Sequence, residues 1–273
     1  MERSDQIVLA TNALPTLKLL ARDVMELLNS ARLQDLPWED VADDPKARAD
    51  YMTRAMVLIQ REHLSSVLSL VENGHDRDNS IIARSMLECL AQLRWALLDE
   101  PTRTDEWFWY GVMLERLQLL RNREKGILID QDDWNTSERL IDQVGPTYFN
   151  RAARKAAENG NRIPPERERY RYRWHEDDIS HVITNALNDE VAMDYWRSAS
   201  AWSHASPLHV NRAMLQGEGT ARYEPSDPRE AAQALYIAIH SCLNTFSLAC
   251  ARFDLPHNKR IDDLFARLPK IRG

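Results

Sequence analysis

The sequence predicts an all-α fold, a multi-helix bundle with long loop excursions, on three observations. Apolar residues recur at three- and four-residue steps along most of the chain. Glycine is scarce, 8 in 273 residues. Runs of β-branched residues are few, which argues against a β-sandwich, a barrel or a glycine-loop nucleotide fold. Hydrophobic residues at 44% and charged residues at 28% match an ordinary globular chain with a substantial core. The 35 basic and 42 acidic side chains leave a net charge of −7, so any contact with nucleic acid or anionic membrane needs a local basic patch.

The elements follow in order. Residues 7–30 place Val8, Leu14, Leu17, Leu20, Val24 and Leu27 at helical steps. Pro37 and Pro45 punctuate a polar connection, and a second helix runs from about 46 to 73, closed by Asn73-Gly74. A third helix covers about 78–99, and a fourth about 104–125, after Pro101. Asn135 with Glu138 resembles a capping box opening a fifth. Residues 158–175 form an Arg- and Pro-rich excursion. Helix returns near 176 and continues to about 204 with a break at Asn188, and 206–226 reads as a loop. Asp227-Pro228-Arg229-Glu230 then supplies an N-cap, a first-turn proline and a capping-box acid. The stripe Ala231, Leu235, Ala238, Cys242, Phe246, Ala249 and Phe253 faces a core. With no composition shift between halves, residues 1–273 are expected to form a single helical domain. The amino end shows no secretory leader and no stretch reaches about 18 consecutive apolar residues, so a cytoplasmic protein with no membrane partner is expected. Cys89, Cys242 and Cys250 are too few and too scattered for a disulfide framework or a thiolate metal site.

The third helix carries charge inside an apolar pattern. Ile82, Met86, Leu90, Leu93 and Leu97 gather on one face, and Ile81, Leu87, Ala91, Trp95 and Leu98 on another. Arg84 and Glu88 stand one turn apart in the second face. Buried charge is costly unless paired, so two readings stand: an internal ion pair fixing helix register, or a cavity in which Arg84 meets an anion and Glu88 orients a partner.

Arg197 and His204 lie seven residues apart, hence on one helix face about 10.5 Å apart along the axis. Between and around them lie Ser198, Ala199, Ser200, Ala201 and Ser203, a small-residue floor that lets a ligand come close. An arginine and a histidine over such a floor can hold a phosphate between them; the bland alternative for His204 is a helix-end histidine satisfied by the dipole.

Arg197, six residues, then His204 resembles the Arg-(four to six residues)-His motif of the HEPN superfamily, compact helical proteins that include bacterial toxin and phage-defence ribonucleases. Ser198 stands where that motif commonly carries Asn, Asp or His. The helix Arg84-Ser-Met-Leu-Glu88 with the later Tyr195, Ser200 and His204 also resembles an uncharacterised all-helical bacterial domain family, over roughly residues 70–250. The HEPN resemblance implies metal-independent RNA cleavage without a cofactor, with Arg197 and His204 as the catalytic pair and a homodimer completing the site. Arg84, Glu88 and Ser200 would support them. The reading from a different class is a non-catalytic module, sensing a ligand or regulating a partner protein through a buried Arg84–Glu88 pair.

Between Arg162 and His175 five arginines and two glutamates make a local basic arm. If 166–174 is extended, Arg167, Arg169, Arg171 and Arg173 face one way and Tyr170, Tyr172 and Trp174 the other, a spacing able to track RNA phosphates. The alternative is an arm bound to the acidic body of its own chain or to a partner subunit. His175, Asp177 and His181 lack a further chelating pair, and Glu72 and His75 are separated by a helix stop, so no metal is expected. Trp107-Phe-Trp-Tyr110 reads as core and subunit-contact area.

Overall fold

The structure is a computed structural model that describes residues 13–31, 33, 41, 43–204, 214–217, 220–223 and 227–269. Ten α-helices dominate the described residues: α1 (Leu14–Ser30), α2 (Pro45–Glu72), α3 (Asn79–Leu97), α4 (Thr102–Glu124), α5 (Gln131–Val144), α6 (Arg151–Glu158), α7 (Ile179–Leu187), α8 (Glu190–Ser203), α9 (Pro228–Phe253) and α10 (Asn258–Ala266). The fold is all-α and multi-helical, as the apolar periodicity predicts. Within the expected 206–226 loop, Met214–Gly217 (β1) pairs antiparallel with Thr220–Tyr223 (β2). Glycine, proline and charge dominate that stretch, and a four-residue strand is too short to show period-two alternation. The start of the first expected helix, including Val8, lies outside the described residues, as does Pro37.

The chain forms two compact units, one drawn from residues 1–41, 50–95 and 178–273, the other from 42–49 and 96–177. In the first, α1 packs on α9, and α10 packs on both. Leu17, Leu20, Val24 and Leu27 of α1 meet Leu64 and Val67 of α2, Met86 and Leu87 of α3 and Leu235, Ala238, Cys242 and Phe246 of α9 in one apolar cluster. Helix α9 is long and apolar enough to cross a membrane by length and composition alone, but 67% of its most apolar window is buried. Its stripe is core: Ala231, Leu235, Ala238, Cys242, Phe246 and Ala249 are all sequestered, and Phe253 packs against them from the edge.

Local chemistry sets the ends of these helices. Asp227 accepts from the backbone N–H of Arg229 and Glu230 at the start of α9, the expected N-cap. The Glu230 carboxylate takes Arg77 Nη1 at 3.1 Å. Gly74 ends α2 with φ of +76°, and Asn188, with φ of 48°, separates α7 from α8. Helix α5 corrects the sequence reading, because its cap is Asp130, whose Oδ1 accepts from Asp132 N and Asp133 N. Asn135 lies one turn inside, bonded to Gln131. An aspartate preceding two further acids outcompetes the later asparagine, since all three then sit at the positive end of the dipole.

In the second unit, Phe108, Tyr110, Met113, Ile141, Tyr148, Phe149, Tyr170 and Trp174 are buried, whereas Trp107 and Trp109 are only half-buried. Tyr148 donates to the carbonyl of Glu106 at 2.7 Å, and Arg48 forks onto Asp105 at 2.7 Å. Helix α6 stands on Asn150, whose side chain accepts from Ala153 N and donates to the carbonyl of Glu168.

Candidate functional site

Helix α8 carries the residues on which the functional reading depends. Asp189 caps it, Oδ1 accepting from Val191 N at 2.9 Å and Ala192 N at 3.2 Å. Ala192, Met193, Tyr195 and Ala199 turn inward, so the pitch of the helix leaves Asp194, Arg197 and Ser198 facing water. His204 follows the last helical residue, and its N–H still reaches the carbonyl of Ser200 at 3.1 Å. The helical hydrogen-bond pattern therefore runs through His204, which keeps it on the same face as Arg197. Both are exposed.

Arg197 engages Asp194 one turn back, Nη1 to Oδ1 at 3.2 Å. Its side chain is 66% exposed and that of Asp194 54% exposed, so this pair contributes only ~0–1 kcal/mol and gives way readily to a phosphate. The hydroxyl of Ser203 donates to the carbonyl of Ser200 at 2.8 Å, while the hydroxyl oxygen of Ser200 is buried with no hydrogen-bond partner among the described residues.

Arg84 and Glu88 join this turn from α3. Arg84 Nε donates to Glu88 Oε1 at 2.9 Å, and Nη1 reaches Ser203 Oγ at 2.8 Å. Trp196 Nε1 donates to the same Glu88 oxygen at 2.6 Å, and its ring lies under the Arg84 guanidinium at 5.6 Å. The pair is thus half-buried, at 21% and 22% side-chain exposure, and not the sealed pair that the apolar pattern of α3 predicts. The reason lies in the second face of that helix. Its middle, Leu87 and Ala91, is fully buried, but Ile81 and Leu98 at its ends are exposed, so the face meets water at both ends. Neighbouring Cys89 has its thiol pushed up to about 11 by burial and by the Glu88 charge, so it stays protonated and is no nucleophile at neutral pH.

The basic arm belongs to the other unit and is not extended. Tyr170 and Trp174 are buried while Tyr172 is 99% exposed, so the three rings do not share one face. Turns replace the strand because the arginines are spent locally. Arg167 pairs with Glu124, and Arg169 stands over Phe149 and Tyr170 within 4.0 Å of Glu166. Arg171 bonds Glu176 and the carbonyl of Trp174 over the ring of Tyr148. Arg173 is exposed and likewise engaged. Glu124, Glu166 and Glu176, all of the same unit, thus take Arg167, Arg169 and Arg171. His175 is buried, its Nδ1 against the carbonyl of Asp177, and burial holds its pKa below the ordinary imidazole value. His181 lies edge-on to Trp95. Among the described residues no three His, Cys, Asp or Glu side chains converge on a metal position.

One constellation escaped the sequence reading. On α9, Tyr236, His240 and Asn244 form a four-residue ladder beside the apolar stripe, and Arg94 of α3 donates to Asn244 Oδ1 at 2.6 Å. The four-residue steps were the available signal, but the stronger apolar stripe on the same helix masked them.

Residues 50–220 match a family described as "Family of unknown function (DUF5677)". The chain belongs to this family. The matched region contains Arg84, Glu88, Trp196, Arg197, Ser200 and His204 together with the basic arm, and leaves out α1, α9 and α10. No curated protein and no solved structure matches the chain.

Proposed function

We propose that this protein is a HEPN-like ribonuclease or RNA-binding protein of a bacterial defence or toxin system. In this reading it is cytoplasmic and homodimeric, with Arg197 and His204 as the phosphate-handling pair. The observation that carries the reading is the placement of Arg197 and His204 on one exposed helix face, with the turn between them pinned by Arg84 through Ser203. His204, exposed on this face, takes the proton from a ribose 2′-hydroxyl as general base. The 2′-oxygen then attacks the adjacent phosphorus, and the 5′-oxygen leaves and takes a proton from solvent. Arg197, released from Asp194, meets the charge that gathers on the phosphate oxygens. Arg84, Glu88, Trp196 and Ser203 act as positioning residues that fix the last turn of α8.

The test is cleavage of RNA by the purified chain in EDTA. Wild-type protein is expected to cleave, and His204→Ala to abolish cleavage without moving the melting temperature, because the side chain is exposed. Equal cleavage by the variant removes this mechanism.

A second reading has an observation of its own. Glu88 Oε1 collects Arg84 and Trp196 at once, a mutually satisfied group of the kind that sets helix register or senses a ligand. In that reading the module regulates a partner protein and does not cleave. No cleavage in any condition, together with a melting shift on partner binding, is its signature.

A further inference from the structure

We draw no further inference here: the strongest candidate, the groove of about 590 Å³ beside the first turn of α10, lined by His257, Lys259, Arg260 and Arg267, carries nothing, because Arg267 and Arg260 already face Asp23 at 2.5 Å and Glu26 at 3.6 Å on α1, and what remains is a helix N-terminus with no second feature among the described residues that points to a ligand.

Discussion

The guanidinium of Arg84 holds the hydroxyl of Ser203 at 2.8 Å, joining the middle of α3 to the last turn of α8 across 119 residues of chain. Ser203 immediately precedes His204, so whatever disturbs Arg84 reaches the histidine through a single peptide unit. Trp196 completes the clamp from the turn before, through its bond to Glu88.

Trp196→Phe tests this clamp. The substitution keeps an aromatic ring near Arg84 but deletes the indole N–H, leaving a half-buried carboxylate with one donor fewer. Urea denaturation should show a loss of about 1–3 kcal/mol, the range for a hydrogen bond to a charged group. If RNA is cleaved, kcat should fall with KM little changed, since the variant misplaces His204 without removing it.

The second unit offers a sharper contrast. Arg116 is 3% exposed, bonded to Glu166 and Ser137, with its guanidinium 3.9 Å from the Trp134 ring centre. Arg123 lies over the same ring at 4.4 Å but is exposed. Arg116→Ala leaves Glu166 with the more distant Arg169 and should cost about 1–3 kcal/mol, the range for a hydrogen bond to a charged group. Arg123→Ala loses an exposed cation–π contact and should cost about 0.5–1 kcal/mol. Denaturant midpoints of the two variants check the ordering.

A buried hydroxyl without a partner predicts the opposite sign. Tyr195 is enclosed, its hydroxyl finds no acceptor or donor among the described residues, and burial beside Glu230 pushes its pKa far up. Tyr195→Phe removes an unsatisfied polar atom and keeps the ring in the core. Thermal melting of this variant should match or exceed wild type, by up to about 1–3 kcal/mol.

Acid should weaken the fold in part through its histidines. His63, His175 and His240 are all held below the ordinary value of 6.5, chiefly by burial. As pH drops below about 6.5, the unfolded chain takes up these protons before the folded one, so stability falls with pH and the loss is complete below the folded-state values. His240→Gln carries no such penalty. The gap between its stability and that of wild type should therefore shift in the variant's favour between neutral and acid pH, as read from urea midpoints.

How much of this was legible without coordinates depended on the reach of each interaction. Gly74, Asn188 and Asp227 mark helix ends by chemistry within a few residues, and each sits where its type demands. The Arg84–Glu88 pair was visible because four residues is one turn. Trp196 and Ser203 were not visible as its partners, because nothing in a linear pattern ties them to α3. The extended conformation expected of the basic arm failed for a related reason. Alternation fits a strand only if one face is free, whereas Tyr170 and Trp174 are drawn into the core and the arginines follow the nearest acids. Arg94 and His240 come from two helices, and each alone reads as an ordinary edge residue.

The mismatch between the matched stretch, residues 50–220, and the first unit has a practical consequence. Met86 and Leu87 of α3 and Leu64 and Val67 of α2 share their cluster with residues of α1 and α9, both outside that stretch. A fragment trimmed to the family boundaries would present bare hydrocarbon where those helices had been, and would be expected to aggregate on expression. Any fragment meant for assay or crystallisation should begin ahead of Leu14 and extend beyond Ala266.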